Sequence, residues 1–185
     1  TLYADAERVR TRVTALNVPA VVLRFASDLQ GPISQLISPL FRDFFGAESK
    51  LTVAGLVRDA GGVAVETIDL ASGAMTLKGN AETTPDGFLR RLNLDAAIAD
   101  ANVRKIVLPV AGGQTTVEGA KFSLSFGDQG EDWGGNLDLR QLETGTFTAK
   151  AVELDLAGLA QNLDQPANRR ITFGVKGAAT GIDAT

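Results

Sequence analysis

From Ser49 to the end of the chain, apolar side chains recur at every second residue in ten short runs, the first at Leu51 and Val53 and the last at Ile171, Phe173 and Val175. That is the period of a half-buried β-strand, and a helix, whose faces repeat every 3.6 residues, cannot hold it. The positions between are mainly Thr, Glu, Lys, Asn, Ser and Asp, so each strand has one greasy and one wet face. Turn-forming residues separate the runs: Asp59-Ala60-Gly61-Gly62, Ser72-Gly73, Pro85-Asp86-Gly87, Gly112-Gly113, Gly127-Asp128-Gln129-Gly130 and Pro166-Ala167-Asn168. The pattern predicts an all-β chain, mainly an antiparallel meander.

The segment before Ser49 is different. Ile33, Leu36, Ile37, Leu40, Phe41, Phe44 and Phe45 fall on one helical stripe, with Pro32 at the first turn and Gly46 at the end, which predicts one short amphipathic helix over residues 32–45. Its other face offers only Ser34, Gln35, Ser38, Arg42 and Asp43, so it suits packing on the greasy sheet face better than a membrane surface. Further upstream, residues 7–13 and 21–25 read as strand, with Pro19 at an edge or corner. A weak internal repeat relates residues 62–98 to residues 145–177. Each copy carries an Ile-Asp-Leu or Leu-Asp-Leu phrase, a Pro-bearing loop and an arginine pair, Arg90-Arg91 or Arg169-Arg170.

Composition removes most chemistry. The 185 residues include no Cys and no His, so there is no disulfide, thiolate or imidazole metal site, Cys-His dyad or Ser-His-Asp triad. The 22 acidic side chains mostly alternate with apolar neighbours, as at Asp69, Asp95, Asp138, Glu153 and Asp155, which puts them on the solvated face and not in a catalytic pair. Asp128, Glu131 and Asp132 lack the ligand spacing of a calcium loop and read as a polar hairpin tip. Trp133, beside that turn, reads as a packing residue before a rim anchor. No catalytic residue, metal site or cofactor is expected. A formal charge of −4, with basic residues spread singly, gives no footprint for nucleic acid. No apolar run approaches the roughly 20 residues of a membrane span. The chain opens at Thr1 with no export signal, and is read as a single β-rich segment, residues 1–185, of a longer protein.

The strands donate more apolar surface than one short helix can cover. Either a second sheet closes over it, giving a sandwich of structural or adhesive role, or the sheet curls and leaves an apolar trough. Periodicity does not separate the two.

Several phrases narrow the field. The run Phe41-Arg42-Asp43-Phe44-Phe45-Gly46, then Leu51-Thr52-Val53, Arg58-Asp59-Ala60-Gly61-Gly62, Ile68-Asp69-Leu70, Leu77-Lys78-Gly79-Asn80-Ala81, Phe88-Leu89-Arg90-Arg91-Leu92-Asn93-Leu94-Asp95 and Asn162-Leu163-Asp164-Gln165-Pro166-Ala167-Asn168-Arg169, taken in order, resembles the TamB family of Gram-negative envelope proteins. The likeness is closest to alphaproteobacterial members of this AsmA-like group and covers most of the chain. It implies an elongated, curled, taco-like sheet with an apolar lining, in the periplasm, within a protein anchored in the inner membrane. It also implies passage of phospholipid between the two membranes, support of outer-membrane protein and autotransporter assembly, and an outer-membrane barrel of the TamA type as partner. On that reading the lipid-contacting residues are Leu51, Val53, Val63, Val65, Met75, Leu77, Leu92, Leu94, Ile98, Ile106, Leu108, Phe122, Leu124, Phe126, Leu137, Leu139, Val152, Leu154, Leu156, Ile171, Phe173 and Val175. The alternative expectation is a chaperone-like module that binds unfolded β-strand clients at its sheet edges.

Overall fold

The structure, a computed structural model, describes residues 10–18, 22–32, 45–46, 48–99, 105–108, 110, 114–127 and 131–184. The chain forms one antiparallel sheet. Its strands are β1 (Arg10–Val18), β2 (Val22–Gly31), β3 (Ser49–Val57), β4 (Val63–Ala71), β5 (Met75–Thr83), β6 (Leu89–Ile98), β7 (Ile106–Val107), β8 (Thr116–Val117), β9 (Gly119–Phe126), β10 (Asp132–Glu143), β11 (Phe147–Gln161), β12 (Arg170–Thr180) and β13 (Asp183–Ala184). The hydrogen-bonded path runs β1-β2-β3-β4-β5-β6-β9-β10-β11-β12, with β7, β8 and β13 off it. β1 and β12 do not pair, so the sheet is open and not a barrel. Among the described elements, every extensive backbone contact is between hydrogen-bonded neighbours.

The meander follows from the turn chemistry. Gly61 and Gly62 both take a left-handed backbone, φ 84° and 85°, at the β3–β4 turn, where a side chain on either would run into the adjoining Thr83–Pro85 stretch. Thr144 closes the β10–β11 turn by accepting the N–H groups of Thr146 and Phe147 on its hydroxyl. β1 runs on to Val18, past the expected end at residue 13, and β2 runs on to Gly31, past Ser27 and Asp28; residues 7–9 lie outside the described residues. The predicted helix over residues 32–45 lies almost wholly outside the described residues. Of the two repeat units, residues 62–98 hold β4, β5 and β6, whereas residues 145–177 hold only β11 and most of β12. What they share is an arginine pair at the start of β6 and of β12.

Two bulges correct the alternation. Val63 and Val65 are odd-numbered, Ile68 and Leu70 even, and strict period two would send them to opposite faces. Ala54 pairs with Thr67 and Gly55 with Val65, so Glu66 is an extra residue in β4 and both pairs stay on one face. In the same way Glu82 pairs with Arg91 but Thr83 with Leu89, leaving Arg90 as the extra residue.

Beside the second bulge, Glu82 ties β5 to the β3–β4 turn and to β6. Its carboxylate lies 2.9 Å from Arg58 and 3.8 Å from Arg91. The Arg58 guanidinium, hydrogen-bonded to it, holds its pKa below the usual carboxylate value against the opposing effect of burial, and the nearby Arg91 and Arg90 charges add to the lowering. A depressed folded-state pKa contributes stability above the unfolded value of about 4.3, and that contribution fades as pH falls through the folded value. Glu82→Gln is therefore expected to cost roughly 0.5–1 kcal/mol at pH 7. Urea titrations at pH 7 and pH 3 should show the two proteins converging at the lower pH.

Candidate functional site

Cross-strand register assembles the greasy face. Residues paired directly across strands share a face, so the pairings can be followed from β2 to β12. One row reads Leu29, Leu51, Leu70, Leu77, Ala96, Phe122, Leu137, Leu154 and Gly177. The next reads Ser27, Val53, Ile68, Gly79, Leu94, Leu124, Gly135, Leu156 and Val175, and a third reads Phe25, Gly55, Val65, Ala81, Leu92, Phe126, Trp133, Gly158 and Phe173. A shorter row carries Met75, Ile98, Ala120, Leu139, Val152 and Ala179. None of these residues is charged.

Opposite them lies a polar ladder: Asp28, Thr52, Asp69, Lys78, Asp95, Ser123, Asn136, Asp155 and Lys176. Thr52 donates to Asp28 at 2.8 Å and Asn136 to Asp155 at 2.6 Å, each across a strand pair. The carboxylates at Asp69, Asp95, Asp138, Glu153 and Asp155 all fall on this wet side. Two shallow cavities, of about 400 and 350 Å³, adjoin at Asp95, Ser123 and Asn136.

Burial sets the apolar face apart from a core. Among the described residues, the buried apolar side chains are Ala64, Ala74, Ile106, Val117, Ala120, Phe126 and Ala149, four of them alanine. The leucines of the rows are half-buried, and on β12 Ile171, Phe173 and Val175 are 61, 74 and 53% exposed. A two-layer fold would have sealed these residues. Of the residues predicted to meet lipid, all but two fall on this face. Ile106 and Leu108 instead sit off the main path, in a small cluster with Ala74, Phe45, Met75 and Ile98 at one margin. Lys105, paired with Glu143, and the Thr116–Glu143 pairing fix that excursion to β10.

The expected lipid-contacting set leaves out Leu29, Phe25, Ile68, Leu70, Ala96 and above all Trp133, all of which stand on the greasy face. The Trp133 indole N–H donates to the Thr172 carbonyl at 3.1 Å, two strands away. It reaches that far because Gly158 lies between, and a Cβ there would stand 2.5 Å from the indole nitrogen. Trp133 is thus a packing residue on the greasy face. Gly55, Gly79, Gly135 and Gly158 share a further property. A Cβ on any of them would come within 2.0–2.5 Å of a neighbouring strand's carbonyl oxygen, and one on Gly177 would meet Leu154 Cδ2 at 2.4 Å. On the wet face, Gly134 and Gly174 would meet their nearest neighbours at an ordinary 3.5 and 3.8 Å.

Comparison with models of known families, with curated proteins and with solved structures found no match. Among the described residues no helix is long and apolar enough to cross a membrane, and no group of side chains is arranged to hold a metal ion.

Gly158→Val is expected to displace the indole and lower stability by roughly 2 kcal/mol. Gly174→Ala, across the sheet, should stay within about 0.5 kcal/mol of the parent. Urea midpoints read by Trp133 fluorescence separate the two outcomes.

Proposed function

We propose that this chain is a periplasmic segment of a TamB-like envelope protein, whose greasy face shelters the acyl chains of phospholipids moving between inner and outer membranes. Support for outer-membrane protein assembly, through a parent protein that meets a TamA-type barrel, belongs to the same reading. One observation carries it: uncharged, mainly apolar rows run from β2 to β12, and their large side chains stay half-buried or, on β12, more than half exposed. The glycine contacts support a sheet bent into a trough, since a neighbouring carbonyl so close on the greasy side requires the backbone to turn toward that side.

The energetics suit the task. Each methylene taken out of hydrocarbon into water costs about 0.8 kcal/mol, so a chain of about 16 carbons needs on the order of 12 kcal/mol of apolar shelter. Half-buried leucines and phenylalanines in parallel rows can supply it, while headgroups stay in water at the margin. No residue acts as a catalyst, and the lining works collectively. A second reading, capture of unfolded β-strand clients by edge pairing, is favoured by β12, whose outer edge has no partner among the described residues.

Phospholipid is expected to co-purify with the chain and to appear in native mass spectra. Phosphatidylcholine carrying brominated acyl chains should quench Trp133, which stands on the greasy face. Leu94→Asp with Leu154→Asp should abolish both signals while far-UV circular dichroism stays unchanged, because a charge in the path opposes hydrocarbon by several kcal/mol. Full lipid binding in that folded double variant would refute the trough.

A further inference from the structure

The inner strands run between two unlike margins. One margin holds the β3–β4 and β5–β6 turns and the bulge at Arg90. There the Glu82 carboxylate meets Arg58 and Arg91, and the Arg90 charge acts on it as well. Asp59 and Asp86 stand exposed on the two turns. The greasy side chains nearest this margin, Leu23 and Leu89, are 45 and 37% exposed. The margin is wet and carries charges of both signs.

The opposite margin is oily. Ala74 and Ile106, 3 and 5% exposed, are packed there with Phe45, Met75, Ile98 and Leu108. Of the charges at that end, Lys105 pairs with Glu143, and Lys50 lies in a wet-side row with Ala71 and Thr76.

Polarity on the greasy face therefore changes along a strand and stays constant across strands. Along β5, from Thr83 to Met75, the face is roughly 27 Å long at about 3.4 Å per residue. Across the sheet, from β2 to β12, it is roughly 38 Å at about 4.8 Å per strand. The hydrocarbon of one bilayer leaflet, half of a core about 30 Å thick, is about 15 Å deep. Length thus lets an acyl chain lie either way, and polarity decides between the two. A phospholipid lying along a row would set its headgroup on uncharged side chains, where charge loses water and gains no partner. Lying along the strands, it sets its phosphate near guanidinium groups and its cationic end near carboxylates, while the tails end on Met75 and Ile98. Resting on the lipid-carrying reading above, we infer that phospholipid lies on this face with its acyl chains parallel to the strands. Its headgroup is at the margin of Arg58, Glu82 and Arg90, and its methyl ends are at the margin of Met75 and Ile98.

Trp133 can read this orientation, because its row lies near the charged margin. It pairs with Phe126, Phe126 with Leu92, and Leu92 with Ala81, two residues from Thr83. Leu139 stands on the same strand, about 20 Å further toward the oily margin. Phosphatidylcholine brominated near the carboxyl end of its acyl chain should quench Trp133 about twofold or more strongly than the same lipid brominated near the methyl end. In the variant Trp133→Phe with Leu139→Trp, once its far-UV spectrum matches the parent, the order should reverse. Equal quenching of Trp133 by the two lipids, or stronger quenching by the methyl-end bromines, overturns the orientation and leaves lipid binding in place. An unchanged order at a folded Leu139→Trp does the same. Trp133 decides alone if the variant does not fold. Quenching by neither lipid takes down the lipid-carrying reading, and this inference with it.

Discussion

Cross-strand register is the constraint on which the rest of this structure depends. Each strand alone offers only an alternation, and one residue of slip in any hairpin would turn that strand's greasy side outward. In register, the alternations of nine strands, from β2 to β12, add up to one surface. The bulges at Glu66 and Arg90 belong to the same requirement. Without the first, Val63 and Val65 would face the polar ladder. Without the second, Leu89 would leave the side that Leu92 and Leu94 occupy. With so few side chains fully buried among the described residues, the sheet draws much of its stability from backbone ladders and from side-chain pairs across strands, each worth roughly 0.2–1 kcal/mol, and those pairs exist only when the register is kept.

Much of this was legible in the sequence, for a physical reason. Phe122, Leu124 and Phe126, or Val152, Leu154 and Leu156, announce a strand because no other regular backbone separates greasy from polar residues at every step. Pro85-Asp86-Gly87 and Pro166-Ala167-Asn168 announce turns because of the φ values they favour. What stayed hidden depends on which strand lies beside which. The interval between Val65 and Ile68 does not say that Glu66 is a bulge until Ala54 and Gly55 are set opposite. The sequence pattern shortens β2, because Arg24 and Asp28 interrupt its apolar residues, although β3 pairs with it from Leu23 to Gly31. Ile106 and Leu108 have the right period for the face, yet belong to an excursion that packs over Ala74 and Met75. Trp133 could be recognised as a packing residue, but its reach to Thr172 depends on a glycine in a different strand, 25 residues further along the chain.

The absence of charge on the greasy rows bears on what the face is for. Its leucines are only half-buried, so a lysine or glutamate at Leu94 or Leu154 could extend into water at little cost if water were all that the face met. The opposite side uses that freedom at six of the nine positions of its polar ladder, from Asp28 to Lys176. A rule against charge that is kept along rows crossing nine strands, on a surface whose large side chains stay only half-buried, is costly to explain by folding alone. It is what a face requires if something without hydrogen-bonding groups lies along it, because one unpaired charge beneath hydrocarbon would cancel the shelter of several methylenes. The glycines add to this argument. They place gaps between large side chains along the rows, so the surface undulates, and a flexible chain can settle into such a relief where a flat rigid partner cannot.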